Sequence, residues 1–272
     1  MIKHITLTPP PRAQGHAILS SKVVEGRSVL ADLRQAGAFK LVFPRNGKTV
    51  EAILVNTAGG ITGGDCFFLE IDVAANSCIS LTTQAAERAY RAQHGEVGHI
   101  RTTAKVGDGG NLHWLPQELI LYDRCALDRR LRIDLAANAQ LLMVEPVIFG
   151  RTAMGEAITN AQFHDRIEVT RMGQPLYFDA MRLEGNIAAS LAQSATANGG
   201  VAMASGLYVA PDAEAVIDDV RRHLGDFGGA SLLQPDVLAL RLVAADSHVL
   251  RTHLLPVLDQ LSKSTLPVSW RL

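Results

Sequence analysis

The sequence predicts a mainly β protein of stacked, solenoid-like antiparallel and mixed sheets, with a small α+β part containing two helices at its C-terminus. Three observations predict this. Apolar residues take every second position over 67–73 (FFLEIDV), 131–135 (LRIDL) and 165–169 (DRIEV), the spacing of strands with one buried face. A motif recurs, with LEIDVAAN at 69–76 and LRIDLAAN at 131–138 agreeing at six of eight positions. Near the end of the chain the pattern reads strand, helix, strand, helix.

The stretch NTAGGITGGD at 56–65 lies between the apolar run AILV and the alternating run CFFLEIDV. Its glycines predict a tight turn between two strands, where positive φ or close backbone approach is needed. Residues 82–93, TTQAAERAYRAQ, contain helix formers but equally suit an irregular loop leaving a sheet. Each copy of the motif is followed by a second strand-like run, SCISLTTQ at 77–84 and AQLLMVEP at 139–146. A weaker copy, AKVGDGGNLHWLPQE at 104–118, lies between them, and each unit has a small-residue turn holding an Asn (Asn76, Asn111, Asn138). Repeated strand–turn–strand units predict a stacked body. Hairpins in an ordinary sandwich would satisfy the same pattern.

The character changes near residue 187, where IAASLAQSATANGGVAMAS is rich in small residues. A strand is predicted at 206–210, then a helix opened by Pro211 and Asp212 with Ala215, Val216, Val220 and Leu224 on one face. A strand at 236–244 and a helix at 247–261 follow, the latter to be kinked or divided by Pro256. The chain reads as one domain, 1–272, β-rich over 1–186 and α+β over 187–272, the second part packed on the first.

Composition excludes several classes. With 47% hydrophobic and 19% charged residues the chain is globular, and a net charge of −1 gives no electrostatic case for nucleic acid or an anionic membrane. No apolar run is long enough to span a bilayer, and the N-terminus, MIKHITLTPPPRAQGHAIL, lacks the pattern of a signal peptide. Three cysteines, at 66, 78 and 125 and without a CxxC, fit a reducing compartment, so a cytoplasmic location is expected.

Enzyme motifs are missing. The glycine stretch has Asp65 where a phosphate loop needs Lys and Ser/Thr, and a strand pattern follows it instead of a helix. No metal-ligand spacing occurs among the nine histidines and three cysteines, and neither GxSxG nor SxxK is present. Carboxylates carry the interest: Glu118 after WLPQ, Glu145 bounded by apolar runs, and Asp179, Arg182 and Glu184 together in YFDAMRLEG. A carboxylate set as Glu145 is wants a cation, and Arg151 is the obvious nearby choice. Residue chemistry alone points to binding or assembly rather than catalysis.

Four blocks, in this order, resemble the UreD family of urease accessory proteins (UreH in some bacteria): VNTAGGITGGD at 55–65, LTTQAAERAYR at 81–91, LHWLPQELILYDRC at 112–125 and LMVEPVIFGRTAMGE at 142–156. The closing WRL fits as well, and the resemblance runs from about residue 15 to the end. Cys66 departs from the family, which more often has Arg there. The resemblance implies a mostly β fold with two helices beside the sheets. It also implies a non-enzymatic role in urease maturation. The partners implied are apo-urease, UreF directly and the GTPase UreG through UreF, with GTP-dependent insertion of nickel. No stably bound cofactor is implied, only Ni2+ in transit.

A passage lined by carboxylates and water would carry a divalent ion without trapping it, as thiolate or multi-imidazole sites would. The candidates for lining it are Glu118, Glu145, Asp179 and Glu184, with Asp65 a weaker one. Arg151 would gate it or hold Glu145 in place, and Arg182 is a supporting residue. The same groups also suit buried ion pairs that hold β-structure in register. The C-terminal segment 247–272 is more apolar than a solvent-facing helix needs. Core packing is the first reading of it, a docking edge for the helical partner the second. Two other classes remain: a β-solenoid carbohydrate-active enzyme, disfavoured by only 5% aromatic residues, and a plain structural scaffold subunit.

Overall fold

The computed structural model describes residues 11–44, 49–151 and 154–271. Most of the stretch read for a signal peptide, Thr152 and Ala153 of the fourth block, and Leu272 of the closing WRL lie outside the described residues. The strands are β1 (Gln14–Val24), β2 (Arg27–Gly37), β3 (Phe39–Val42), β4 (Val50–Asn56), β5 (Cys66–Val73), β6 (Cys78–Thr83), β7 (Glu87–Ala89), β8 (Gly98–Val106), β9 (Asn111–Leu115) and β10 (Leu119–Leu121). They continue with β11 (Ala126–Leu135), β12 (Gln140–Phe149), β13 (Ala161–Arg171), β14 (Gln174–Gly185), β15 (Ala202–Val209), β16 (Gly228–Gln234) and β17 (Val237–Ala244). The helices are α1 (Ile187–Leu191), α2 (Ala213–Leu224) and α3 (Ser247–Leu261).

Two sheets face each other. One runs β14-β13-β11-β8-β5-β1-β2, parallel through its middle and closed at both edges by the antiparallel β14 and β2. The other runs β16-β17-β15-β12-β9-β6-β4-β3, with β10 beside β12 and β7. Its strands β4, β6, β9 and β12 are parallel, and its remaining pairings along that path are antiparallel.

The repeat is a solenoid rung. β5 turns into β6, β8 into β9 and β11 into β12, and each turn crosses from the first sheet to the second. Val73, Val106 and Leu135 therefore stand in register in one sheet, and Cys78, Asn111 and Gln140 in the other. The two strands of a unit do not pair with each other, which rules out the hairpin alternative. Backbone ladders continue through the corners: Gly107 N–H donates to the Val73 carbonyl, Ala136 N–H to that of Val106, and Gln140 N–H to that of Gly110, each at 2.8 Å. Asn76 takes the left-handed conformation that Asn tolerates at such a corner (φ 58°).

Alternation places Leu69, Ile71, Val73, Leu131, Ile133, Ile167 and Val169 in the core between the sheets. A second apolar cluster lies on the other face of the larger sheet, under α2, α3 and Trp270. β12 and β15 are covered on both faces, which is why LLMVEPVIF does not alternate.

The structure departs from the sequence expectations in several places. NTAGGITGGD does link two strands, but as a longer crossover from β4 in the larger sheet to β5 in the smaller. Gly60 is required there because a side chain would run into the Tyr90 ring and the Arg88 carbonyl. Residues 82–93 form no helix; they finish β6, loop, and pair as β7 with β10, so tertiary pairing overrides propensity. The buried face of α2 is Ala213, Ile217, Val220 and Leu224, while Ala215 is exposed. These four recur at the spacing of one helical stripe, which passes through Ile217 and leaves Ala215 outside it. α3 runs unbroken through Pro256, its apolar face Leu250, Leu254, Val257, Leu258 and Leu261 seated in the second cluster. β16 was not foreseen, its glycines and short length giving no alternation to read.

Candidate functional site

The parallel register of β11 and β13 places Arg129 opposite Asp165. Both occupy inward positions of their strands, in phase with Leu131, Ile133, Ile167 and Val169. Arg129 Nε and Nη2 donate to the two Asp165 oxygens at 2.9 and 2.6 Å. Its Nη1 donates across to Glu145 on β12 of the facing sheet. The other Glu145 oxygen accepts from Trp114 Nε1 at 2.7 Å. Arg129 and Asp165 are 8% exposed and Glu145 is 4% exposed. A charged cluster thus stitches the two sheets together through the core.

Electrostatics follow from this geometry. Burial works against the Arg129 charge, but Asp165 and Glu145 outweigh it and raise its pKa. Burial raises the Glu145 pKa; Arg129 lowers it in part and the nearby Asp165 charge pushes it up again. The Arg129–Asp165 pair is the tighter half of the cluster, since the bidentate fork matches the carboxylate.

A cavity of about 230 Å3 reaches this cluster. It runs inward from the exposed Gly59 and Arg88 to the buried Arg129, Trp114 and Glu145. Its walls are mixed, with Leu54, Ile61 and Leu131 among the apolar groups and Thr83, Thr102 and Gln117 among the polar ones. Glu87 lines it as well, accepting from Asn56 Nδ2 at 3.0 Å. Burial raises the Glu87 pKa against the lowering effects of Asn56 and Arg88. Among the described residues, no group of three or more His, Cys, Asp or Glu is placed to hold a metal ion.

Of the carboxylates singled out in the sequence, Glu145 alone lines the cavity. Asp65 is buried and caps the crossover, accepting from the backbone N–H groups of Ala13 at 2.7 Å and Thr62 at 2.8 Å. Glu118 is buried against Arg251 at 2.9 Å, an anchor for α3. Asp179 on β14 pairs with Arg241 and accepts from Ser205 Oγ at 3.2 Å. Ser205 stands next to Glu145 in register. Arg241 in turn feels the charge of Asp165, so the Asp179 group continues the polar line beyond the cluster. Glu184 is at the exposed edge with His164 at 2.7 Å and Arg182 at 3.0 Å.

Arg151 is not the partner of Glu145. β12 ends at Phe149, Gly150 turns the chain with positive φ, and Arg151 lies over the Tyr122 ring, bonded to Glu156 at 2.9 Å. Arg182 likewise serves Glu184 at the surface. Arg129, Asp165 and Glu87 were missed. The signal for the first two was present: two residues before Leu131 the buried phase falls on Arg129, and in DRIEV it already falls on Asp165.

The family model for "UreD urease accessory protein" matches residues 13–271. The chain belongs to the UreD family. It is 52% identical over 269 residues to the urease accessory protein UreD of Roseobacter denitrificans, covering 98% of each chain. It is 50% identical to that of Ruegeria pomeroyi, over 93% of this chain and 98% of the relative. With that of Rhizobium johnstonii it shares 41% identity over 97% of each. The four blocks that resemble UreD proteins in the sequence converge on the one cavity. The first supplies Asn56, Gly59 and Ile61, the second Thr83 to Arg88, the third Trp114, Pro116, Gln117 and Leu119, and the fourth Glu145. No helix among the described residues is long and apolar enough to cross a membrane.

Proposed function

We propose that this UreD-family chain acts in urease maturation as a non-catalytic assembly factor, and that its internal cavity is the path by which nickel travels to apo-urease. In this reading it binds apo-urease and UreF, UreF recruits the GTPase UreG, and GTP hydrolysis drives insertion of the ion. The work is done in the cytoplasm, with Ni2+ as cargo in transit.

The observation that carries the reading is the convergence of all four family-like blocks on one cavity with carboxylates along it. Glu87 stands toward its outer part and Glu145 at its inner end. The rest of the lining is hydroxyls, three amides, three arginines and apolar walls, with no thiolate or imidazole. Carboxylate and water ligands exchange readily on a borderline divalent ion, whereas soft or multi-imidazole sets retain it. A transfer path needs the first kind of lining.

Glu145→Gln tests this. The amide keeps the size of the side chain and can still accept from Trp114. The expected result is normal co-purification with UreF, UreG and urease, with urease nickel content and activity reduced. Loss of assembly, or full nickel loading, would sink the path reading.

A further inference from the structure

Arg129 is a cation already seated between two carboxylates at the inner end of the cavity. It bonds Asp165 through Nε and Nη2 and Glu145 through Nη1, while Trp114 holds the second Glu145 oxygen. Asp165 belongs to one sheet and Glu145 to the other, so the guanidinium is what joins them. Without a cation between them these two buried acids would repel, and they would take up protons or a divalent ion instead.

A second feature lies in the wall of the same cavity. Gln117 lines it and is 7% exposed. Its Oε1 accepts from Arg251 at 3.0 Å, which fixes the amide orientation and leaves Nε2 buried without a protein partner. Glu145 and Arg129 line the same cavity, whose free volume is about 230 Å3.

We propose that Arg129 is a resident counter-cation: it occupies the seat between Glu145 and Asp165 that a divalent cation would otherwise take, so that the path passes metal on and does not store it. The proposal rests on the reading of the cavity as a metal path. With Arg129 in place an arriving ion meets Glu145 as a shared carboxylate, each of whose oxygens already accepts a hydrogen bond, from Arg129 and from Trp114. Such an ion keeps most of its water and leaves again. With Arg129 removed, the same two acids become a facing pair of anionic oxygen ligands, which is a trap. No bond is made or broken in the exchange; one cation stands in for another.

The test is nickel retention by the full-length chain, co-purified with UreF where that keeps it in solution. Wild type, Arg129→Met, Arg129→Gln and Arg129→Met/Glu145→Gln would be compared by equilibrium dialysis against Ni2+, with folding checked by circular dichroism. The expected result is negligible retention by wild type and at least about tenfold tighter binding by Arg129→Met. Nickel should also raise the melting temperature of that variant, and the added Glu145→Gln should abolish both effects. Folded Arg129→Met that binds no tighter than wild type overturns the proposal. If Arg129→Met does not fold, Arg129→Gln decides, because its amide can still hydrogen-bond to one of the acids but supplies no cation. Retention above wild type supports the proposal and equality overturns it. Failure of the path reading looks different: Glu145→Gln would leave urease fully loaded, while Arg129→Met still captured nickel.

Discussion

Arg129 and Asp165 stand directly opposite each other on neighbouring parallel strands, and their side chains meet through two hydrogen bonds of 2.9 and 2.6 Å. The pair lies in the core, where removing Asp165 leaves two Arg129 donors buried without an acceptor. Asp165→Ala should therefore cost about 3–5 kcal/mol. Arg129 would then keep only Glu145 as an ionic partner. Arg129→Met/Asp165→Ala should cost less than the sum of the single changes, since neither ion is left to strand the other. Urea midpoints of the four proteins measure this. Additive losses would show that the two residues act independently.

Glu87 combines a half-buried carboxylate with a position toward the outer part of the cavity. Burial disfavours its charge, so the native fold gains little from the ionised form. Glu87→Gln can still accept from Asn56 and should change stability by less than about 1 kcal/mol. Urease matured with this variant should nevertheless hold less nickel, because the amide offers the ion no charge. Metal analysis of the urease beside a thermal melt of the variant separates the two effects. Normal nickel content would remove Glu87 from the path.

The β-fold was legible because burial on one face writes itself into a sequence as period two, and because stacked rungs repeat their corner residues. LEIDVAAN and LRIDLAAN lie in corresponding places on β5 and β11. The site was less legible, because it is assembled across two sheets from strands whose order no local pattern encodes. Glu145 stood out by its apolar neighbours, but the nearest cation in sequence, Arg151, is carried to the surface by Gly150. The true partner is 16 residues earlier, on the opposite wall. Arg129 was hidden by starting the pattern at Leu131, and Asp165, though it opens DRIEV, was not read as sharing the buried phase of Ile167 and Val169. Glu87 was hidden in a segment with helix-forming residues that is pinned as a three-residue strand by β10.

His113 sits on the outer face of β9, beside Ser80 and Leu142 in register, and is buried under the C-terminal segment. Burial, with a further contribution from the Lys263 charge, lowers its pKa from 6.5 to about 4. The folded state thus binds this proton less tightly than the unfolded state. The contribution of the neutral ring is fully present above pH 6.5 and is lost as the pH falls toward about 4. Within that window the loss approaches about 1.4 kcal/mol for each pH unit. His113→Leu should flatten this part of the pH–stability curve while leaving pH 7 stability similar. Urea titrations at pH 7, 6 and 5 give the slopes, and equal slopes for the two proteins would assign acid sensitivity to other groups.

Trp270 is fully buried, and its indole N–H donates to the Leu115 carbonyl at 2.9 Å. Arg251 lies over the ring, donates to the Trp270 carbonyl at 2.7 Å, and reaches on to Gln117 and Glu118. The end of the chain is therefore part of the second core and braces the connection between β9 and β10 that carries Gln117. Trp270→Ala should cost about 3–5 kcal/mol by opening a cavity beneath α3. Truncation after Lys263, which also removes the buried Leu266, should leave a chain that aggregates or melts far below wild type. Failure of such a chain to co-purify with UreF would then reflect lost folding, not a lost contact. The docking-edge reading requires the reverse: a truncated protein with an unchanged melting temperature that no longer binds UreF.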